Sequence, residues 1–354
     1  MTVDVDGDAA WWTTAVDFLR VTAWMDERGL GRGPAAHIEL LGGGTQNLLL
    51  RFVRGGRTYV LRRPPRALRP TSNETMRREM RVLKALAGTG VPHPTLIASC
   101  PDTSIIGTAF YLMEAVDGFN ATLGLPALHK SSEAVRRRMG LSMVEGIVAL
   151  GSIDHEAVGL TGFGRPENYL ERQVARWNSQ LESYREFAEW PGPGELPGIA
   201  TIAAWLNKYR PAGFAAGIMH GDYHLSNVLF QHDGPEVAAI IDWELATIGD
   251  PLLDLGWLLA TWAEKDPPPE GSIGRVVPWT GFPTSGELIE HYREHSRRDL
   301  TATQWYTVMA CFKLGIIIEG TYARACAGKA PVETGDRLHR NAIASFTRAL
   351  RWIG

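Results

Sequence analysis

The chain has 354 residues, 45% of them hydrophobic and 21% charged, which is the balance of a folding chain with room for two or three domains and excludes a disordered or fibrous one. Lys plus Arg number 36 against 39 Asp plus Glu, and the formal charge of -3 offers no general attraction to nucleic acid or acidic lipid. The three cysteines, Cys100, Cys311 and Cys326, cannot all pair within one chain and have no metal-ligand spacing; with a polar, acidic start and no apolar run near the roughly 20 residues that span a bilayer, a cytoplasmic protein without membrane or nucleic-acid partners is expected.

Residues 11–28 read as a helix, with Phe18, Leu19, Val21, Trp24 and Met25 at helical spacing and Gly29 as its stop. The period then changes, and 37–40, 48–53 and 58–62 read as strands separated by glycine turns, the third ended by Pro64-Pro65. A helix is predicted over 75–86 from the stripe Met76, Met80, Leu83 and Leu86, with Glu79 inside it. After the turn Val91-Pro92-His93-Pro94, residues 95–98 lead towards a further strand at 109–113. Helices are expected at 132–150, 166–189, 199–209, 285–296, 303–325 and 335–352, interrupted by a short strand-rich block from 219 to 242. The fold class is therefore α+β, with a strand-rich N-terminal lobe over 1–115 that begins with a helix and a mainly helical C-terminal lobe over 116–354.

The chemistry sits in the strand-rich block. The string HGDYHLSNVLF at 220–230 sets Asp222 and Asn227 five apart before an apolar strand, and Ala239-Ile240-Ile241 runs into Asp242. Phosphoryl transfer needs this division of labour: one carboxylate accepts or orients the proton of the acceptor hydroxyl, while an amide oxygen and a second carboxylate hold Mg²⁺ against phosphate oxygens. Asp222 is thus the expected base, and Asn227 and Asp242 the metal ligands. His220 is expected to hydrogen-bond behind the loop, His224 either shapes it or faces phosphate, and Tyr223 forms wall or packing. Asp254, in DPLLDLG ahead of a helix, is expected to brace the loop.

Nucleotide contacts are distributed along the N-terminal lobe. Gly43 and Gly44 permit close approach of backbone to phosphate, and Asn47 fixes their turn; the run has neither the Lys-Ser/Thr ending nor the following helix of a P-loop, so it reads as the hairpin cover of a kinase. On the next strand Val60 and Arg62 share a face and Arg63 takes the other, which lets Val60 roof an adenine and Arg62 reach ATP phosphates, with Glu79 as the acid that orients Arg62. Met113, Glu114, Ala115 and Val116 are expected to offer backbone groups to the adenine edge, and Leu229 and Ile241 its apolar floor.

These strings resemble the aminoglycoside phosphotransferase-like kinase family over roughly residues 38–322, and within it the branch found as the kinase portion of acyl-CoA dehydrogenase fusion proteins. GGTQN at 43–47, YVLRRPP at 59–65, YLMEAVDG at 111–118, HGDYHLSNVLF at 220–230 and IIDWELATIGDPLLDLGW at 240–257 carry the likeness. The resemblance implies a two-lobed, protein-kinase-like fold and an ATP- and Mg²⁺-dependent enzyme, with Asp222 as base, Asn227 and Asp242 as metal ligands, Glu79 as partner of the phosphate-binding side chain and Asp254 as brace. Arg62 stands where the commoner pattern has Lys, and a planar fork replaces a compact point charge.

The acceptor is read from weaker signals. Arg165, Arg172 and Arg176, in GRPENYLERQVARW at 164–177, bring positive charge towards an anionic substrate, although Glu171 and Glu182 neutralise part of it. Glu319 is expected to expose a carboxylate from an otherwise buried helix and is the acid that a cationic aminoglycoside would seek. A small metabolite with a free hydroxyl, such as a hydroxyacyl thioester, is the preferred acceptor. The alternatives are an aminoglycoside or a nucleotide-binding module without catalysis, the latter expected to lack one of Asp222, Asn227 and Asp242.

Overall fold

A computed structural model describes residues 11–42 and 47–354, and its first element departs from the sequence pattern. Instead of one helix over 11–28, a 3-10 turn at Trp11–Thr14 precedes α1 (Phe18–Asp26). The cause is Asp17, whose carboxylate accepts from the amides of Leu19 and Arg20 and starts a new helix there, while Gly29, at φ 66°, supplies the stop beyond it.

The chain divides into two units, one reaching Asp117 and taking in Ile241–Glu244, the other formed by Gly118–Ile240 and Leu245–Gly354. In the first, β1 (Ala36–Leu40), β2 (Leu48–Arg54), β3 (Arg57–Arg63), β4 (Leu96–Cys100) and β5 (Phe110–Met113) form an antiparallel sheet in the order β1-β2-β3-β5-β4, and α2 (Ser72–Leu86) follows β3. Alternate β2 residues Leu48, Leu50 and Phe52 are buried with Leu61, Phe110 and Leu112 against Val21, Trp24 and Met25 of α1. Strand period two thus gives one sheet face to the α1 core and leaves the other to the groups that α2 meets.

The pleat decides where the paired arginines go. Arg62, opposite Tyr111 in the β3–β5 register, points to Glu79 of α2, whereas Arg63 turns to the other face and donates to the Ala15 carbonyl at 2.5 Å.

The second unit is mainly helical: α3 (Ala127–Ser131), α4 (Glu133–Ser152), α5 (Tyr169–Ser183), α6 (Ile199–Lys208), and, after four short strands, α7 (Leu252–Thr261), α8 (Ser285–His295), α9 (Thr303–Cys326) and α10 (Val332–Ile353). The helix expected over 166–189 is shorter, starting after Asn168 at φ 52° and giving way to a 3-10 turn at Tyr184–Glu186. Helix α9 carries the core, burying Trp305, Tyr306, Met309, Phe312 and Ile316. Gly256 of α7 lies so close to the Tyr306 backbone that a Cβ there would overlap it, so this crossing requires glycine.

Two small antiparallel ladders complete the unit. β6 (Gly217–Met219) pairs with β9 (Thr247–Gly249), and β7 (Val228–Phe230) with β8 (Val237–Ile240). The segment 220–227 therefore links β6 to β7 and is anchored at both ends. Among the described residues no helix is long and apolar enough to cross a membrane.

Candidate active site

Short strands alone do not set the 220–227 loop; its backbone is fixed by side chains. Asp254, on the first turn of α7 rather than ahead of it as the sequence suggests, is buried and accepts from the amides of His220 at 2.6 Å and Gly221 at 2.8 Å. His220 is buried as well, and its Nδ1 accepts from the Asp222 amide at 3.3 Å. Gly221 holds φ 86° with the Leu245 carbonyl 2.6 Å from where a Cβ would lie, so both conformation and space demand glycine. Tyr223 is packed beneath and donates to the Met143 carbonyl of α4 at 2.8 Å.

Asp222 emerges from this frame with its side chain 29% exposed. His224 Nδ1 accepts from the Ser226 amide, which leaves Nε2 to carry a proton, 3.3 Å from Asp222 Oδ1. Asn227 donates through Nδ2 to the Asp222 carbonyl and to its Oδ2, both at 3.0 Å. Burial opposes ionisation of Asp222, but the hydrogen bond and field of His224, joined by His220 and Lys313, hold its carboxyl well below the usual carboxylate range. These neighbours favour the ionised form, an acceptor suited to orienting a hydroxyl proton. Because carboxylate and carbonyl both need a donor, the Asn227 amide nitrogen turns to Asp222, and its oxygen is the atom left for a cation.

A different cluster forms in the first unit. Arg62 Nε lies 2.9 Å from Glu79 Oε2 without hydrogen-bond alignment, while its Nη2 donates to Glu79 Oε1 at 3.4 Å and to Asp242 Oδ1 at 2.7 Å. Glu79 is 0% exposed and also accepts from the Tyr111 hydroxyl at 2.8 Å. Burial by itself would lower the Arg62 pKa; Glu79, Tyr111 and Asp242 outweigh it and raise it. Asp242 sits at φ 67°, a left-handed conformation rare outside glycine, with its side chain 36% exposed. Asn47 donates to Glu244 at 3.1 Å, and burial followed by the neighbouring Asp242 pushes the Glu244 carboxyl up to about 7. Taken one by one, Asp242 offers a carboxylate oxygen and Asn227 an amide oxygen, each the hard donor type that Mg²⁺ prefers, and a guanidinium such as that of Arg62 is of the kind that suits phosphate; the residue types fit the groups.

The remaining predicted positions sort unevenly. Val60 is buried on the Arg62 face of β3, and Leu229 and Ile241 are half-buried. The amide of Glu114 is unavailable to an adenine because it donates to the Thr95 carbonyl at 2.9 Å, and its side chain pairs with Arg57; Met113 is the last residue of β5, and Ala115 and Val116 follow half-buried. Gly43 and Gly44 lie outside the described residues. Arg172 donates to the carbonyls of Glu167 and Arg165, which commits it to its own loop; Arg165 is exposed, and Arg176 lies 5.2 Å from the Trp177 ring centroid.

Glu319 is a correction. It is 1% exposed, not presented to solvent, and accepts from Trp190 Nε1 and His339 Nδ1, each at 2.8 Å, because helix α9 is covered on that side by the chain around 190 and by α10. Glu145, His291 and His295 bring possible metal ligands within 4.8 Å of one another, but both Glu145 oxygens already accept from Arg138. Sequence reasoning missed Glu244 and Lys313. The second left one signal, a lone basic residue between Phe312 and the apolar run from Leu314 to Ile318.

A strand-rich unit carrying a β-strand cation paired to a helical acid, and a helical unit carrying an Asp–Asn loop, define a kinase-like phosphotransferase fold. The chain belongs to the phosphotransferase enzyme family, whose model matches residues 37–274. It is 32% identical to mouse acyl-CoA dehydrogenase family member 10 over 285 residues, which are 79% of this chain and 26% of that protein. It is also 32% identical to human acyl-CoA dehydrogenase family member 11 over 290 residues, 80% of this chain and 36% of that protein, so it spans only about a third or less of these relatives. A Ralstonia eutropha structure provisionally described as an aminoglycoside phosphotransferase superposes with a TM-score of 0.78 at 30% identity, covering 95% of this chain and 99% of that one. Choline kinase from Cryptosporidium parvum shares the fold at a TM-score of 0.60 and 12% identity, over 95% of each chain.

Proposed function

We propose that the protein is an ATP- and Mg²⁺-dependent kinase that transfers the γ-phosphoryl group to a hydroxyl of a small metabolite. The observation that carries this reading is the Asp222 side chain, partly exposed and held between His224 and Asn227 on a loop pinned by Asp254. Asp222 takes the acceptor hydroxyl's proton as the new O–P bond forms and the bond from the γ-phosphorus to the bridging oxygen breaks, with ADP as the leaving group. Asn227 and Asp242 would supply oxygens to Mg²⁺, and Arg62, kept in place by Glu79, would offer phosphate the guanidinium donors that Glu79 and Asp242 leave. Magnesium, when bound, neutralises charge on the phosphate oxygens.

For the acceptor we favour a hydroxyacyl thioester. The relatives named as acyl-CoA dehydrogenase family members motivate that choice, and the commitment of Glu319 to Trp190 and His339 withdraws the acid that an aminoglycoside's amines would have sought. Mass spectrometry of products after incubation with ATP, Mg²⁺ and a panel of hydroxyacyl-CoAs, aminoglycosides and amino alcohols tests it. Phosphate on a hydroxyacyl-CoA, absent with Asp222→Asn, is the expected result; phosphate confined to an aminoglycoside overturns the acceptor and keeps the kinase.

A further inference from the structure

Lys313 occupies the middle of α9, where its neighbours Phe312, Leu314 and Ile316 are buried apolar residues. Lys313 itself is half-buried, and its ammonium is turned to protein groups. Nζ donates to the Gly221 carbonyl at 3.0 Å and stands 4.2 Å from the ring centroid of Trp257 on α7 and 5.7 Å from that of Trp177 on α5. With Gly221, Asp254, Tyr169 and Gln173 it lines a cavity of about 20 Å³, enough for roughly one water.

The carbonyl it holds belongs to the peptide that leads into Asp222. Along this stretch the His220 and Gly221 amides go to Asp254, the Asp222 amide goes to His220 Nδ1, and the Gly221 carbonyl goes to Lys313. With the Asp222 amide held by His220, the last bond secures the other side of the peptide immediately before the base, next to a glycine that has no Cβ to restrict it. Burial disfavours the ammonium and lowers its pKa, and the fields of Asp222 and Asp254 oppose that effect. A methionine of similar length would fill the same space without desolvating a charge. What the lysine adds is a directed donor and a positive charge beside two carboxylates.

We infer that Lys313 is a positioning residue of phosphoryl transfer, which aims the Asp222 carboxylate by gripping the Gly221 carbonyl. The inference rests on the reading of Asp222 as base. Misplacement of a catalytic group by about 1 Å can lower a rate on the order of 100-fold, and Lys313 touches no nucleotide-contacting residue named above. Lys313→Met should therefore lower kcat about 10- to 100-fold at an unchanged KM for ATP, and should speed amide hydrogen exchange in the loop peptide containing residues 219–223. Lys313→Arg, which keeps charge and donor, should recover most of both.

The assays are Mg²⁺-dependent ATP hydrolysis with water as acceptor, transfer to the panel hydroxyacyl-CoA, and exchange mass spectrometry on the full chain, with thermal melting to check folding. Lys313→Gln, a shorter neutral donor, answers the same question if the methionine variant does not fold. Parent-like kcat together with parent-like loop exchange in Lys313→Met overturns the inference, as does a KM for ATP that rises in step with the loss of kcat. An arginine variant as impaired as the methionine one, with both melting lower in proportion, also overturns it and leaves a packing role. Parent-like turnover in Asp222→Asn sinks the catalytic reading itself, whereas the exchange measurement reports on Lys313 without any turnover.

Discussion

The Arg62 cluster and the 220–227 loop both bury carboxylates, and they satisfy them by opposite means. Glu79 is held by side chains, the Arg62 guanidinium and the Tyr111 hydroxyl, and Arg62 in turn reaches Asp242. Asp254 is held by backbone, accepting the amides of His220 and Gly221. A carboxylate neutralised by a side-chain cation contributes a paired charge whose loss is felt as stability, because the surviving partner is left buried and alone. A carboxylate satisfied by successive amides dictates a backbone conformation, so its loss is felt as the shape of what the loop presents. Asp222 stands on the second kind of support and is the one of the three left partly open to solvent.

The contrast is broken most directly at Asp222. Asp222→Asn should reduce transfer about 10²- to 10⁴-fold, the range for loss of a general base, with ATP affinity and melting temperature close to the parent's. A fall in stability comparable to that of an Arg62 variant would place Asp222 with the ion cluster instead. Arg62→Ala should do the reverse in kind, costing about 3–5 kcal/mol in denaturant unfolding by stranding Glu79. Replacing both Arg62 and Glu79 by apolar residues of matching volume should return much of that stability and none of the activity. Stability unchanged in the single variant would show that Glu79 is neutral when folded.

Asp254→Asn tests the backbone-held carboxylate. One amide oxygen cannot accept both amides with full charge, so the expected loss is about 1.5–3 kcal/mol, read by urea unfolding, with faster hydrogen exchange at residues 220 and 221. Turnover should fall with exchange protection, since the loop's conformation is what is lost.

The smallest effect lies away from both regions, at the N-terminus of α8. Thr284 and Glu287 form a capping box there, and Thr284's amide, then Arg137 and the Thr284 hydroxyl, hold the Glu287 carboxyl down to about 2. A depressed folded-state pKa gives stability that is present above the unfolded value, about 4.3 for a glutamate, and is lost as pH falls through the folded one. Glu287→Gln should therefore cost below about 1 kcal/mol at pH 7 after solvent screening, and the gap between the two melting curves should close between pH 4 and about 2. A gap that persists at pH 2 would mean that charge is irrelevant to this cap.

Much of this protein was legible in residue order. Apolar runs between glycine turns marked the strands at 48–53 and 58–62, and the stripe Met76, Met80, Leu83 and Leu86 marked α2; α4 and α9 also fall within a few residues of their expected bounds. Residue types at 220–242 are local as well: a carboxylate, an amide and a second carboxylate stand at readable spacing in Asp222, Asn227 and Asp242. Alternation also placed Arg62 and Arg63 on opposite faces, and the structure brings Arg62 and Glu79 together.

Tertiary structure decided what depends on partners distant in the chain. Glu319 looked like a free acid because Trp190 and His339 lie 129 and 20 residues away, and no local pattern says that they close over it. Lys313 looked like an interruption in an apolar helix because the Gly221 carbonyl that it grips is 92 residues earlier. The Glu114 amide was spent on Thr95 by a strand register that the sequence does not encode in either segment alone. Residue type and spacing determine which atoms can donate, accept or ionise; whether a buried charge is paired, and whether a backbone group is still free, is settled by long-range packing, because desolvation acts only once the chain has closed around them.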